Sequence, residues 1–250
     1  MPDAASALAL AERTLALCNG ADQAQVSVTF TRRAYARFAQ NYVTQNLDAL
    51  QPEVNVTFVR AKRLGTATSA ELSDAGLRAV VETARASTSR LPPNPEFVSL
   101  AAPATIASPP KSFFPATANA SPDERIDLLL PVFQRMRGSS LRAAGFATTG
   151  SNVRAVANSL GVRAAFEGSI AGLEIKAMAP DVSGYAQRWS RDRARIDAAE
   201  RAELAAQKAT LSATPADFAP GTYTVVLEAP AFLECLAGML EGMEADAVLE

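Results

Sequence analysis

The sequence predicts an α+β protein of two units, each a curved antiparallel sheet flanked by helices, joined by a proline-rich linker. Stretches in which apolar and polar residues alternate, the period of a half-buried strand, occur in both halves of the 250-residue chain. In each half these stretches lie between helical stretches. Between the halves, residues 91–120 hold or adjoin more than half of the 15 prolines, which excludes a helix or a central strand there.

The first half reads as a helix, a run of strands and a second helix. Alanine and leucine recur on one face over 4–19, which favours a helix. Ser73 or Asp74 can cap the second helix, which runs to about residue 89. Gln51-Pro52 indicates a turn between two strands. The predicted strands cover 26–30, 35–38, 42–46, 54–60 and 64–68.

The second half repeats this order without repeating the sequence. Its first helix has a strong start, with Ser121 at the N-cap and Pro122 at the first helical position. Strands are predicted over 141–148, 152–157, 162–179, 184–190 and 223–228, and helices over 197–211 and 230–242. The predicted domains are therefore 1–90, a linker at 91–120, and 121–250.

Composition excludes several classes of function. The net charge is −2, from 24 basic and 26 acidic residues, so no nucleic-acid partner is expected. No apolar run reaches the roughly 18 residues of a membrane span, and no basic leader precedes an apolar segment. A cytoplasmic location without membrane contact is expected. Cys18 and Cys235 lie in apolar helical contexts and are expected to be buried, reduced thiols.

The chain contains no histidine. This absence removes Ser-His-Asp and Cys-His catalysis, and with them the common zinc sites that use imidazole ligands. Two distant cysteines cannot replace those ligands. No catalytic residue and no metal ligand is therefore predicted in this chain.

A polar patch near residue 40 is the candidate binding site. Arg37, Asn41, Gln45 and Asn46 could hydrogen-bond to the backbone of an extended peptide. The alternative is that they line the exposed face of a sheet or cap its ends. Glu228 closes a predicted strand, where it has either a structural role or a contact with substrate.

The region 37–65, with its amide-rich strand pattern, resembles the N-terminal domain of the TldD/PmbA family, the "modulator of DNA gyrase" proteins regarded as peptidase subunits. The resemblance covers the N-terminal and central parts of such a protein, and the C-terminal domain of the family is expected to be absent. Four further pieces match in order: 74–80 (Asp-Ala-Gly-Leu-Arg-Ala-Val), Asn158-Ser159-Leu160-Gly161, Ser183-Gly184-Tyr185-Ala186 and 220–228 (Pro-Gly-Thr-Tyr-Thr-Val-Val-Leu-Glu).

The resemblance also implies a role. In the TldD branch a His-Glu-x-x-x-His helix holds zinc, and here Ala237 and Gly242 stand near the places of its histidines. The chain therefore looks like the PmbA (TldE) branch. This implies a non-catalytic or truncated member, without a cofactor of its own, that pairs with a zinc-bearing TldD-type subunit in processing unstructured or leader-type peptides. The alternative is a free-standing peptide-binding module without a peptidase partner.

Overall fold

Six strands and seven α-helices make up the computed structural model, which describes residues 1–105, 110–217 and 219–243. A short 3-10 helix, Arg193–Arg195, precedes α6. The strands are β1 (Gln23–Ala39), β2 (Tyr42–Arg60), β3 (Arg63–Ser69), β4 (Arg142–Asn158), β5 (Arg163–Ala179) and β6 (Val182–Ser190). The helices are α1 (Ala4–Leu15), α2 (Asp74–Thr88), α3 (Pro115–Ala118), α4 (Pro122–Asp127), α5 (Leu130–Arg137), α6 (Ala198–Leu211) and α7 (Ala229–Glu241).

All six strands form one antiparallel sheet in the order β3-β2-β1-β4-β5-β6. The predicted α+β class, a curved antiparallel sheet flanked by helices, is confirmed. The strands assigned to two separate sheets nevertheless join, because β1 pairs with β4 from Gln25 opposite Asn158 to Phe38 opposite Gly145. Each of these strands is the first of a three-strand meander, and pairing them removes a long open edge from both halves.

The two halves have the same internal arrangement. Each consists of a helix, three antiparallel strands and another helix that packs on the outermost strand. Gly65 on β3 and Gly184 on β6 occupy corresponding places. A Cβ added at Gly65 would lie 2.0 Å from the carbonyl oxygen of Ala84 in α2, and one at Gly184 would lie 2.1 Å from that of Ala205 in α6. Both glycines let a helix lie directly on an edge strand.

The core lies on one face of the sheet, in two clusters. One cluster packs α1 and α2 against β1, β2 and β4, with Val28 and Phe58 at its centre. The other packs α5 and α6 against β1, β4 and β5, with Phe38 and Leu173 at its centre. We call this side of the sheet the helix-covered face. Alternate side chains, such as the exposed Arg33 and Arg37, project from the opposite side, the open face.

The chain forms two compact units, Met1–Ala213 and Thr214–Glu250. The sheet lies in the first. The strand predicted over 223–228 is wrong, because that stretch is irregular and has no strand partner among the described residues. The turn predicted at Gln51-Pro52 is also wrong, since β2 continues through it. The division into 1–90, 91–120 and 121–250 stays a prediction.

The proline-rich segment runs beside the ends and the edge of the sheet, and its residues 106–109 lie outside the described part. The backbone N–H of Asn94 donates to the carbonyl of Lys62 at 2.8 Å. The side-chain amide of Asn158 donates to the carbonyl of Ala101 at 2.8 Å. Further along, the carbonyl of Ser112 accepts from the N–H of Ser169 on β5 at 2.9 Å. Within its described residues the segment is thus fastened at single points rather than by a continuous ladder. The expectation that it contains no helix is wrong near its end, because α3 begins at Pro115, and proline is compatible with the first turn of a helix.

Trypsin is expected to cut first at Arg90 and Lys111, which are exposed at the start and in the middle of this segment. Denaturing gels of the 26.3 kDa chain should show fragments of about 10 and 15 kDa. Because β1 pairs with β4, the nicked halves should still elute together in native gel filtration. No lysine or arginine follows Lys208, so cleavage in the second unit cannot mimic this pattern. First cuts within 23–69 or 142–190 would contradict the prediction.

The two thiols should differ sharply in reactivity. Cys18 is buried, and burial raises the pKa of its thiol to about 11. Cys235, expected to be buried, is instead exposed on α7. One thiol per chain should therefore react quickly with a chromogenic disulfide at pH 8, and the second only in denaturant. A Cys235→Ser variant should show no fast phase, and a fast phase in that variant would mean that Cys18 is accessible.

Candidate functional site

The polar patch predicted from the sequence lies at the tip of the β1–β2 hairpin. Gln40 and Asn41 form the turn, with φ angles of 56° and 64°. The side chain of Asn41 donates to the carbonyl of Leu141 at 2.9 Å and accepts from the N–H of Ala143 at 2.6 Å. These bonds fasten the hairpin tip to the start of β4. The Asn41 amide is therefore used in holding the two halves together rather than offered to a ligand.

Strand alternation separates the other patch residues. Arg37 pairs with Gln45 across β1 and β2, and both are exposed on the open face. Asn46 is opposite Ala36 and so belongs to the helix-covered face, where its Oδ1 accepts from Arg125 at 3.3 Å. Glu228 is the N-cap of α7 in the second compact unit. The structure thus brings Arg37 and Gln45 together, and places Asn41 in the hairpin turn and Asn46 on the other face of the sheet.

Half of β2 presents an open edge. β3 pairs only with residues 54–60 of β2, so the stretch 42–53 pairs with β1 on one side and has no strand partner on the other among the described residues. Leu47 and Leu50 are exposed along this stretch. An edge of this kind presents unpaired backbone N–H and C=O groups, which is the chemistry that an extended peptide needs for strand addition.

A buried arginine, missed by the sequence reasoning, lies behind this edge on the helix-covered face. The residue Arg125 on α4 is only 1% exposed. Its Nη1 donates to the carbonyl of Ala120 at 2.9 Å and to Oγ1 of Thr149 at 3.1 Å. Its Nη2 lies 3.7 Å from Oδ2 of Asp48. Nothing in the local pattern of a capped helix start distinguishes this arginine from an exposed one, so only the partners reveal it.

Asp48 is shared between two arginines. Arg32 on β1 donates to both of its carboxylate oxygens, at 2.9 and 2.5 Å, and Arg125 approaches from the other side. The hydrogen bonds from Arg32, followed by the charges of both arginines, hold the pKa of Asp48 below its ordinary value despite partial desolvation. We call Arg32, Asp48, Arg125 and Thr149 the arginine cluster.

A cavity of about 350 Å³ opens beside Arg125. Ser121 and Glu124 form a capping box at the start of α4, in which each side chain bonds to the backbone of the other residue. Glu124 also pairs with Arg193. The bond from the Ser121 N–H, followed by that from Arg193, holds the pKa of the Glu124 carboxylate below its ordinary value. The cavity is lined by Ala116, Glu124, Arg125, Leu128, Thr149, Asp192, Arg193 and Ala194.

The donor set does not fit zinc. The sequence has no histidine, and the described residues contain no group of three cysteine, aspartate or glutamate side chains placed to hold a metal ion. Ala237 and Gly242, at the places where the resemblance puts histidine ligands, have no donor side chains. Among the described residues, no helix is long and apolar enough to cross a membrane.

The fold defines a class of chain in which two helix-flanked strand meanders share one antiparallel sheet. Residues 115–213 match the family described as the PmbA/TldA metallopeptidase central domain. This part of the chain therefore resembles the central domain of that family, and the family resemblance found in the sequence is confirmed. A comparison with curated proteins found no match.

Solved structures share the fold at low sequence identity. TldE from Thermococcus kodakarensis has a TM-score of 0.69 and is 22% identical, with 80% of this chain and 47% of that chain covered. A candidate modulator of a DNA gyrase from Thermotoga maritima has a TM-score of 0.68 at 17% identity, with 81% of this chain and 47% of that chain covered. Another candidate modulator of DNA gyrase, from Bacteroides thetaiotaomicron, has a TM-score of 0.69 at 15% identity, with 81% of this chain and 49% of that chain covered. The present chain thus spans about half the length of these proteins.

Proposed function

We propose that this chain is a non-catalytic, PmbA-type subunit that pairs with a zinc-bearing TldD-type subunit in the hydrolysis of unstructured or leader-type peptides. The observation that carries the proposal is the family match over 115–213 in a chain without histidine. Hydrolysis at zinc needs ligands that this donor set does not supply. Zinc is therefore assigned to the partner, and the complex to the cytoplasm.

The open edge of β2 is the proposed place for an extended peptide. Its unpaired backbone groups over 42–53 would form a ladder with the peptide, while Arg37 and Gln45 flank one end on the open face. Asn46 keeps its Nδ2 donors on the helix-covered face. In the second unit, taken by itself, Glu228 stays a proposed peptide contact. Asn41 is not retained, because its amide already bonds to Leu141 and Ala143.

The proposed partner surface is the apolar stripe of α7. Five large side chains in α7 or just after it are each more than half exposed: Phe232, Leu233, Met239, Leu240 and Met243. Together with Leu236 they recur at spacings of three and four. A stripe of this size is large enough to drive association. It would pack against the peptidase subunit in the complex.

A pulldown with purified chains tests the pairing. The 250-residue chain is immobilised and offered a TldD-type subunit that carries the His-Glu-x-x-x-His motif, and bound protein and zinc are measured. We expect the partner and its zinc to be retained together, whereas the chain alone should hold no stoichiometric zinc and cleave no unfolded protein. Zinc held by the chain alone, or peptidase activity lost when one of its own residues is changed, would contradict the proposal.

Paired variants make the test specific. Replacing Leu233 and Leu240 with glutamate should abolish retention, because charge is placed in the centre of the stripe. Replacing Ala231, on the opposite side of α7, with glutamate adds charge to the same helix outside the stripe and should leave retention unchanged. Equal retention by both variants would exclude the stripe as the partner surface.

A free-standing peptide-binding module is the second candidate, favoured by the open β2 edge alone. In that case the chain would bind an extended peptide tightly without any partner. Retention of a peptide but of no TldD-type subunit would support this candidate over the first.

A further inference from the structure

The charge of Arg125 is poorly compensated for a group so deeply buried. Its side chain is fully inaccessible, yet three of its four partners are neutral oxygens, those of Ala120, Thr149 and Asn46. The nearest carboxylate, Asp48, lies 3.7 Å away and already binds Arg32 through both oxygens. A buried guanidinium normally has a close carboxylate or another anion.

One donor of Arg125 has no partner at all. Its Nε is buried and makes no hydrogen bond to any described residue. Thr149 Oγ1 accepts from Arg125 and so keeps its own hydroxyl proton to donate. Both residues line the cavity of about 350 Å³, together with Arg193. The cavity therefore combines an unused hydroxyl donor with the guanidinium of Arg193, while the inaccessible positive charge of Arg125 lies behind Thr149.

The remaining walls define the shape of a ligand. Ala116, Leu128 and Ala194 give the cavity an apolar side. The two acidic groups of the lining are already engaged: Glu124 with the Ser121 N–H and Arg193, and Asp192 with the N–H of Ala194. The ion pair with Arg193 thus neutralises Glu124, and Asp192 keeps its charge at a partly exposed position, whereas the buried charge of Arg125 has no carboxylate closer than 3.7 Å. The volume falls in the range of about 300 to 1,000 Å³ that small-ligand sites occupy.

We propose that this cavity binds a carboxylate group attached to a short apolar body, with Thr149 and Arg193 as its donors and the buried positive charge of Arg125 behind them. Two sources share this chemistry, a small free carboxylic acid and the C-terminal carboxylate of a peptide. The proposal does not depend on pairing with a peptidase subunit, and so its failure would leave the proposed function standing.

Calorimetric titration of the 250-residue chain tests the proposal. The ligands are N-acetyl-Ala-Ala acid, the same peptide as its C-terminal amide, and propionate, each up to about 20 mM. Binding of the peptide acid without the amide supports a peptide terminus as the source. Binding of propionate without the peptide acid supports a free acid, and binding of both supports the shared carboxylate chemistry. Equal binding of acid and amide, or no binding of any ligand, would overturn the proposal.

Variants connect the binding to this cavity. Thr149→Val removes the hydroxyl that would donate to the bound carboxylate, and so should weaken acid binding about tenfold. Thr149→Ser should restore the binding. Arg193→Gln should also weaken binding about tenfold, with only a small cost to folding because its ion pair with Glu124 is partly exposed. Arg154→Gln removes an exposed charge on the other face of the sheet and serves as the control. Unchanged binding in both Arg193→Gln and Thr149→Val would place the carboxylate elsewhere and refute the assignment.

Discussion

Replacing Gly184 with valine is expected to lower the free energy of unfolding by about 3 kcal/mol, at the upper end of the cost of overpacking. A Cβ at this position of β6 would lie 2.1 Å from the carbonyl oxygen of Ala205 and 2.4 Å from the backbone nitrogen of Ala209. Both obstacles are helix backbone, so no side-chain rotation relieves the clash. The whole of α6 would have to move away from the sheet.

The face of α6 explains why the cost should be large. Buried alanines recur along it, at Ala202, Ala205, Ala206 and Ala209. Small residues on the helix and glycine on the strand together allow the close approach. Moving α6 outward would leave gaps along that row, and gaps in a core cost contact energy. Loss of this packing would also expose the second core cluster, which includes Leu173 and Ile175.

Urea denaturation followed by circular dichroism measures the effect. Gly138→Ala is the control, because Gly138 ends α5 with φ of −65° and an added Cβ would meet nothing closer than 3.6 Å. This variant should be unchanged or more stable by about 0.5 kcal/mol. A Gly184→Val chain as stable as the unmodified protein would mean that α6 does not lie on β6 as the structure has it.

Local chemistry in the sequence predicted the elements whose signals are also local. Ser121 caps α4 with the expected side-chain bond, and Ser73 caps α2. The turn at Asn158-Ser159-Leu160-Gly161 connects β4 and β5, with Gly161 at φ of 101°. Each of these features depends on residues within four positions of one another. The order of helices and strands follows from such signals together with hydrophobic periodicity.

Features that depend on distant partners were not predictable in the same way. Alternation predicts that β1 has one buried face but does not say which strand pairs with its second edge, so its junction with β4 was missed. Pro52 was taken for a turn because proline disrupts a ladder. Pro52 lies in the part of β2 that has no pairing with β3. On such a free edge no neighbouring strand needs the N–H that proline lacks.

In the candidate site, too, features set by neighbouring residues were predicted and features set by distant partners were not. Arg37 and Gln45 were found because neighbouring polar residues on two predicted strands are visible in the sequence, and their exposure follows from alternation. The arginine cluster was not found, because its members come from β1, β2, α4 and β4. A buried arginine and an exposed one look alike in a single sequence.

Asp48 should give the protein a measurable acid sensitivity. Its folded-state pKa is lowered, chiefly by the hydrogen bonds from Arg32, so its contribution to stability is present above its ordinary pKa of about 4 and is lost as the pH falls. An Arg32→Met variant should lose part of this dependence. An Arg125→Met variant should retain most of it, since Arg125 contributes least to the lowered pKa.

Replacing Arg125 with methionine is expected to lower the free energy of unfolding by about 3 kcal/mol, the lower end of the cost of removing one member of a buried ion pair. Methionine fills much of the same space, so the loss would come mainly from polar groups. The carbonyl of Ala120 and the side-chain oxygens of Thr149 and Asn46 would each lose a donor, while Arg32 would still neutralise Asp48.

Urea denaturation at pH 7 measures this loss, with Arg154→Met as the matched control. Arg154 is exposed on β4, and its replacement should change the free energy of unfolding by no more than about 0.5 kcal/mol. If the two variants were equally stable, the hydrogen bonds of Arg125 would do no more than offset the cost of burying its charge. The cluster would then be maintained for something other than stability. The carboxylate titrations would decide whether that is ligand binding, because Arg125→Met removes the buried charge that favours a carboxylate in the cavity.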